Sequence, residues 1–318
     1  MSTTIRQTTT AIRSAAPARR RRRIRESRED RAVLMVIYVV LALIALAVLV
    51  PLIYVVAASF SSAIAVIKNK VWLWPVDPSL AAYVGVFNYP GFWLSYLNTI
   101  VYTAAGTALS VSLSVLMGWP LSRPQLYGRR IFSSLLIFAF IFNGGLIPFY
   151  LVVKALHMVN TRWSMIIPTA LSIFSVILAR TFFKTTIPEE LVQAARVDGC
   201  GEFGILWRVV LPMSKPVLAV LALIFAVGIW NQYFYALVFL QSTDLFPVQL
   251  VLRQILELSQ LNPSDISNLS PAEIQSFQNF ATLVKYALIV ISSLPMLIFY
   301  PLLQKYFVQG MRIGSLKE

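Results

Sequence analysis

Residues 187–199 read IPEELVQAARVDG and residues 211–216 read LPMSKP, with long apolar stretches on both sides of them. We call residues 188–216 the polar segment. Pro188 suits the first position of a helix, and Glu189 and Glu190 would then lie in its first turn, where the helix dipole favours negative charge. Because charged residues are costly inside a bilayer, the polar segment predicts a short helical element outside the membrane, where it can bind a partner.

The rest of the chain is dominated by apolar stretches. Of its 318 residues 58% are hydrophobic and 13% are charged, too apolar a balance for one soluble core. A transmembrane helix needs about 20 mostly apolar residues. Six stretches qualify: Val33–Ser59, Tyr96–Leu121, Ile131–Val153, Trp163–Phe183, Val217–Leu240 and Thr282–Leu303. The sequence predicts an all-α membrane protein with six transmembrane helices, and the polar segment connects the fourth to the fifth.

Basic residues are distributed unevenly between the two sides of these predicted helices. Six of the 27 Lys and Arg residues fall on the side opposite the N-terminus: Lys68, Lys70, Lys154, Arg162, Arg253 and Lys285. The others lie on the N-terminal side, which the positive-inside rule assigns to the cytoplasm. We therefore expect the polar segment and both termini to be cytoplasmic. The expected domains are a disordered basic tail over residues 1–32, a transmembrane domain over 33–303 and a short tail over 304–318.

The basic run Arg19–Arg23 in the N-terminal tail has two interpretations. Such runs can bind nucleic acid, but no soluble folded domain accompanies this one. A disordered tail that orients the first helix and contacts anionic lipid explains the run better. We expect membrane lipid, and no nucleic acid, as its partner. The first apolar stretch exceeds the usual ~7–15 residues of a signal peptide, so we expect an uncleaved anchor.

The sequence lacks the residue patterns that would supply energy for transport or carry out catalysis. The predicted spans carry no ionisable residue near their centres, since Arg180 and Lys285 fall near helix ends, whereas ion-coupled transporters usually carry such groups. No phosphate-binding G-x-x-x-x-G-K-[ST] loop occurs, and His157 and Cys200 lack partners spaced for a metal site. We expect no enzyme, no cofactor and no metal. If the chain transports, another chain supplies the energy.

A glycine-rich cluster interrupts the third predicted span. Asn143-Gly144-Gly145 would break helical hydrogen bonding at membrane depth, which is tolerated only against protein or a water-filled cavity. The cluster therefore either lines a pathway or kinks a tightly packed helix.

An amide and aromatic cluster lies in the fifth predicted span. Trp230-Asn231-Gln232-Tyr233 places two amides among rings, which suits the hydroxyl groups and C–H faces of a sugar. The alternative is hydrogen bonding between helices together with an aromatic interface belt.

The polar segment carries an apolar face in each of its two predicted helices. In the first, Leu191, Ala194 and Ala195 share a face at i, i+3, i+4 spacing, and the two alanines would allow close approach by a partner. We expect Gly199 to stop this helix and Asp198 to cap the next.

The second predicted helix repeats the same spacing. Phe203, Leu206 and Trp207 form its apolar face, and Leu211-Pro212 would end it. An amphipathic helix lying on lipid is the alternative, although lipid requires neither paired alanines nor an Asp-Gly hinge.

The polar segment resembles a family motif. Gln193-Ala194-Ala195-x-x-Asp198-Gly199, with Leu211-Pro212 and Pro216 downstream, is similar to the EAA loop in membrane subunits of bacterial ABC importers. The resemblance implies a type I permease fold in the cell membrane and a coupling helix that inserts into a cleft on a cytoplasmic ATPase dimer. It also implies a second permease subunit, usually a related but different chain, and an extracytoplasmic solute-binding protein.

Two further stretches resemble carbohydrate importers of this family. One comprises the cluster at residues 230–233 with Phe246-Pro247-Val248-Gln249. The other comprises residues 143–148 with Asn160-Thr161 and Ile167-Pro168, which are similar to the subgroup for oligosaccharides and polysaccharide fragments. The resemblance implies that a sugar or oligosaccharide is the substrate.

One residue departs from the family motif. Its first letter is usually Glu, which can pair with a basic residue of the ATPase, whereas this chain has Gln193. A neutral amide loses the charge-assisted part of that contact. Glu189 or Glu190, one turn earlier, is predicted to supply the charge.

Two other functions remain open from the residues alone. A self-contained carrier or channel would explain the apolar spans, and a membrane scaffold or assembly subunit would explain the polar segment. A co-purifying ATPase would exclude the carrier, and loss of substrate uptake without this chain would exclude the scaffold.

Overall fold

The structure, a computed structural model, describes residues 28–142, 144–258, 279–282, 284–299 and 301. All regular elements among these residues are helical. Two compact units are formed, Met1–Pro51 and Leu52–Glu318. Most of the predicted N-terminal tail, the predicted C-terminal tail and Asn143 lie outside the described residues.

The described part of the first unit, residues 28–51, belongs to one long helix whose residues 52–59 are counted with the second unit. Helix α1 (Arg28–Ser59) begins at Arg28, so residues 28–32, which the sequence assigns to the tail, belong to the helix. Its most apolar window contains no buried residue. Such a surface suits contact with lipid or with another chain.

The second unit contains the remaining described helices, of which the longest, Phe92–Ser122, has 31 residues. These are α2 (Ala63–Ile67), α3 (Ala81–Phe87), α4 (Phe92–Ser122), α5 (Arg129–Ile141), α6 (Leu146–Ala155), α7 (Trp163–Ile166), α8 (Ile173–Thr186), α9 (Glu189–Val197), α10 (Glu202–Ile205), α11 (Leu211–Met213), α12 (Lys215–Trp230), α13 (Phe234–Phe239), α14 (Val248–Leu258) and α15 (Asn279–Phe299). A π-helical turn (Leu206–Val210) joins α10 to α11, and a 3-10 turn (Thr243–Leu245) precedes α14.

Among the described residues, three helices are long and apolar enough to cross a membrane: α1, α4 and α15. Two bent pairs would qualify together, α5 with α6 at 116° and the stretch Glu202–Met213 with α12 at 83°. The described residues therefore support three to five spans, and the count of six stays a prediction.

The fourth and fifth predicted spans are interrupted. The fourth divides into α7 and α8, because Pro168 restricts the residue before it and cannot continue a helix. The Ser172 side chain then caps α8 by accepting a hydrogen bond from the Ser175 amide. The fifth stops at Trp230 and resumes at Phe234.

Helix α4 forms the centre of the second unit, where it packs against α8 and α12. Small buried residues recur along it at every fourth position: Gly106, Ser110, Ser114, Gly118 and Ser122. A Cβ added at Gly118 would lie 2.8 Å from the Ala179 Cβ of α8. Small side chains at this spacing allow the close helix packing that membrane proteins use.

Polar side chains of α4 also hold the loop that follows α13. The Asn98 amide donates to the backbone carbonyl of residue 244 at 2.7 Å, and the Tyr102 hydroxyl donates to that of residue 245 at 2.9 Å. Thr99 Oγ1 accepts a hydrogen bond from the amide of residue 248 at 2.8 Å. These contacts place α13 and α14 relative to α4.

Gly118→Val should destabilise the protein by roughly 1–3 kcal/mol, because the new side chain would overlap Ala179 in a packed interface. The thermal unfolding of the purified protein in detergent measures this effect. Gly228→Ala is the matched control, since a Cβ there meets no described atom within 4 Å. Equal unfolding temperatures for both variants would contradict the close contact.

Candidate functional site

The polar segment begins with helix α9, close to the predicted position. Glu189 and Glu190 lie in its first turn, as predicted. Pro188 differs from the prediction: it has extended backbone (φ −62°, ψ 139°) and is the N-cap rather than the first helical residue. Its fixed φ fits the extended N-cap as well as a first turn.

Gly199 ends α9, as predicted, and does so in a Schellman motif. Its φ of +81° is a left-handed conformation that favours glycine. The Cys200 amide donates to the Ala195 carbonyl and the Gly199 amide to the Arg196 carbonyl. The prediction for Asp198 is wrong, because Asp198 is the C-cap of α9, whereas Gly201 is the N-cap of α10 without any side-chain cap.

The two alanines of the motif face opposite ways. Ala194 is exposed with Leu191, but Ala195 is 8% exposed and lies in the core of the second unit with fully buried Val192. The prediction that both alanines face a partner is therefore wrong for Ala195. Helix α9 is amphipathic. The face that carries Val192 and Ala195 packs against the rest of this chain, and the opposite face is exposed.

Most of the large apolar side chains that the polar segment exposes lie between the end of α9 and the π-helical turn. Val197 is 88% exposed and Phe203 is 73% exposed, and Trp207 is also exposed. Leu206, predicted to share their face, is buried instead. The π-helical turn that begins at Leu206 changes the side-chain spacing, so the α-helical pattern does not hold there.

Leu211 and Pro212 lie at the end of the second helical stretch, close to the predicted stop, and the stretch ends one residue later at Met213. Both lie in α11, where Pro212 is tolerated in the first turn, and the chain bends only after it, at Ser214. Lys215 and Pro216 then open α12.

The start of α9 is tied to the end of α4 by an ion pair. Arg123 Nη1 donates to Glu189 Oε2 at 2.7 Å, and Gln125 Nε2 donates to Glu189 Oε1 at 3.2 Å. The Arg123 guanidinium also lies 3.9 Å from the ring centroid of Trp119. Burial lowers the pKa of Arg123 from its ordinary value, and the Glu189 carboxylate opposes that shift.

The remaining acidic groups of the segment have different surroundings. Glu202 pairs with Arg196 at 2.7 Å in an exposed ion pair. Glu190 and Gln193 are exposed, and their side chains make no hydrogen bond or ion pair within the described part of the chain. They are therefore free to contact another chain.

The break between α12 and α13 borders a cavity of about 340 Å³. Asn231, Gln232 and Tyr233 line it together with Thr169 and Tyr235. The Asn231 amide donates to the carbonyl of residue 227 at 2.9 Å, which ends α12. Two amides and two phenol rings thus converge on one opening.

Three members of the two predicted pathway clusters are absent from this cavity. Trp230 is buried, and its indole donates to the Ser292 carbonyl at 2.8 Å, so it joins α12 to α15. Gly144 and Gly145 lie at the bend between α5 and α6, where the Gly145 φ is +80°. Asn143 lies outside the described residues.

Two polar side chains that connect distant parts of the fold were not predicted from the sequence. One is Arg123, whose signal was an arginine four residues after a tryptophan at the end of a predicted span. The other is Asn160, whose side-chain oxygen accepts hydrogen bonds from the amides of residues 241 and 242. Asn160 belonged to the family-like pattern, but its part in holding the chain after α13 was not predicted from it.

Comparisons with known proteins show the family to which this chain belongs. The family described as "Binding-protein-dependent transport system inner membrane component" matches residues 110–313. The chain belongs to this family of transporter membrane subunits, so it is a transport protein of the membrane and not an enzyme.

Similar proteins share most of their length with this chain. Protein LplC of Bacillus subtilis (strain 168) is 40% identical over 84% of this chain and 88% of its own length. The polygalacturonan/rhamnogalacturonan transport system permease protein YtcP of the same organism is 38% identical over 84% of this chain and 92% of its own length.

A solved structure has the same fold. It is a chain of a bacterial ABC transporter involved in the import of the acidic polysaccharide alginate, with a TM-score of 0.79 and 37% identity, and the match covers 88% of this chain and 98% of that chain. This chain is accordingly a permease subunit of a binding-protein-dependent ABC importer.

Gly199→Ala should destabilise the end of α9 by about 1–2 kcal/mol, because an alanine at positive φ is strained. Protease cleavage within the polar segment should become faster, which gel electrophoresis can follow. Gly201→Ala is the control, since Gly201 has a φ of −71° and open space around it. Equal cleavage rates in both variants would contradict the assigned role of Gly199.

Proposed function

We propose that this chain is the six-span permease of a sugar or oligosaccharide importer, and that its polar segment docks onto a cytoplasmic ATPase dimer. The observation that carries the docking proposal is the exposed surface of the polar segment. Val197, Phe203 and Trp207 are exposed on the same segment as Glu190 and Gln193, whose side chains have no partner among the described residues. Exposed apolar side chains beside free polar groups are typical of a protein interface.

The distribution of basic residues supports a cytoplasmic position for the polar segment and for both termini. In that orientation a nucleotide-driven closure of the ATPase pair would draw two polar segments together. The cavity at Gln232 would then change its access from one side of the membrane to the other, which is alternating access.

A second permease subunit is supported by surfaces that the chain leaves uncovered. Helix α5 contains no buried residue, and most of its apolar side chains, among them Ile131, Leu135 and Phe138, are exposed. Exposed apolar side chains in such number indicate contact with protein or lipid. We infer that a related permease chain covers part of this surface and lipid the rest.

The substrate proposal rests on the cavity chemistry and on the relatives. Amides and phenol rings bind hydroxyl groups and the C–H faces of sugars, and Asn231, Gln232 and Tyr233 supply both. Relatives are named for transport of polygalacturonan or rhamnogalacturonan, arabinooligosaccharides, and melibiose, raffinose and stachyose. An extracytoplasmic binding protein would deliver the substrate.

Glu190→Lys should weaken ATPase binding by about 1.5–3 kcal/mol, the contribution of a charge-assisted hydrogen bond. Glu190 replaces Glu189 as the favoured source of the charge that Gln193 lacks, because Glu189 already pairs with Arg123. The measurement is the amount of ATPase that co-purifies with the tagged chain.

Glu202→Lys is the matched reversal for this experiment, since Glu202 pairs within the segment. Equal ATPase recovery from both variants would contradict docking through Glu190. If the unmodified chain recovers no ATPase, the segment does not dock and lies on lipid instead.

Gln232→Ala and Tyr233→Ala should lower uptake of the transported oligosaccharide without lowering the amount of protein in the membrane, because both side chains line an open cavity. Uptake of labelled galacturonan, alginate and arabinan fragments and of raffinose by cells with and without this chain identifies the substrate. Trp230→Phe should instead lower the protein level, because it removes a buried hydrogen bond. Unaltered uptake in both cavity variants would exclude the cavity from the pathway.

A further inference from the structure

The Arg123–Glu189 ion pair joins two elements that have separate tasks in the proposed function. Arg123 directly follows α4, and Glu189 is the first residue of α9. Within the described residues, the side-chain hydrogen bonds between residues 92–126 and the polar segment are those that Glu189 accepts from Arg123 and Gln125. The polar connection is therefore concentrated at one carboxylate.

The surroundings of the Arg123–Glu189 ion pair restrict the movement of its side chains. The Arg123 side chain is 9% exposed and is held between the Trp119 ring and Glu189. A buried arginine is tolerated when its charge is paired, and Gln125 holds the second oxygen of the Glu189 carboxylate by a hydrogen bond at 3.2 Å. The Arg196–Glu202 pair has the same length but is exposed and lies wholly within the polar segment.

The second helix of the polar segment, α10, borders open space beside the end of α4. A cavity of about 390 Å³ lies between Trp119 and Arg123 on one side and Glu202, Phe203 and Leu206 on the other. Among the described residues, the face of α10 that carries Glu202 and Phe203 therefore makes no polar contact with α4, although Ile205 of the same helix is buried in the core. At the start of α9, in contrast, Glu189 contacts Arg123 directly.

Helix α4 continues from this pair to the cavity of the proposed substrate pathway. A Cβ added at Gly106 of α4 would lie 2.7 Å from Cδ1 of Ile229, and Ile229 lines that cavity. Tyr96, further along α4, contacts Trp230 edge to face at 5.9 Å. One rigid helix thus contacts both the polar segment and the wall of the cavity.

We propose that Arg123 and Glu189 are positioning residues that transmit displacement of the polar segment to α4 and so to the cavity at the α12–α13 break. This proposal rests on the docking function proposed above. It assigns Glu189 to transmission within the chain and leaves Glu190 for contact with the ATPase.

The test uses the whole transporter in membrane vesicles and needs no known substrate. Gly228→Cys in a Cys200→Ser background places the one thiol of this chain at the cavity, because Gly228 lines it and a Cβ there meets no described atom within 4 Å. The rate of maleimide labelling is measured with and without ATP plus orthovanadate, and the ratio of the two rates reports the change of access. Co-purified ATPase and the unfolding temperature are measured for each variant.

In the chain that carries no change besides the thiol substitutions, the labelling rate with ATP plus orthovanadate should differ clearly from the rate without them, so that the ratio differs from one. Glu189→Gln should bring it close to one while the ATPase still co-purifies, because the docking surface is retained and the ion pair is lost. Arg123→Lys should retain part of the effect, since it keeps the charge but loses the planar guanidinium that lies against the Trp119 ring. Glu202→Gln, the matched control, should leave the ratio unchanged.

Three results would overturn the proposal. An unchanged ratio in Glu189→Gln, even with a lower unfolding temperature, would make the pair merely structural. Loss of the ATPase from Glu189→Gln would assign Glu189 to docking and leave the proposed function intact. A ratio of one in the unmodified background, or no ATPase there, would remove the proposed function and this inference together.

Discussion

The close packing of α4 against α8 and α12 is the constraint on which the rest of the structure depends. At Gly118 the backbone of α4 comes so near to α8 that even a methyl group would overlap. In a membrane the gain from burying apolar surface between helices is small, so van der Waals contact and hydrogen bonds must hold helices together. The small residues of α4 provide the first, and Asn98, Thr99 and Tyr102 provide the second.

The two surfaces proposed to function in docking and in substrate passage are attached to opposite ends of this packed centre. One end of α4 carries Arg123, which holds the start of the polar segment, and the other holds the loop that follows α13. The interrupted helices around α4 leave irregular backbone, whose polar groups must find partners or water. At the α12–α13 break the Asn231 side chain donates a hydrogen bond to a carbonyl in the last turn of α12. The remaining backbone of the break borders the cavity.

Much of the architecture was predictable because it depends on local composition and spacing. Apolar length identified the membrane class, and the cap residues Glu189, Glu190 and Gly199 identified the first helix of the polar segment. The broken fourth and fifth spans were harder. A hydropathy window averages over Pro168 and over the Asn231-Gln232 amides, whereas hydrogen bonding of the backbone responds to each of them.

The sequence by itself determined a helical membrane protein with an amphipathic polar segment, because apolar length, helical period and turn residues are local properties. Only the tertiary structure decided the direction that each side chain faces. Ala195 and Trp230 match a family-like motif and an aromatic cluster, yet both are buried within the chain's own fold. Glu189 pairs with Arg123, a partner 66 residues away. Such contacts depend on how distant helices pack, and spacing along one helix carries no information about that packing.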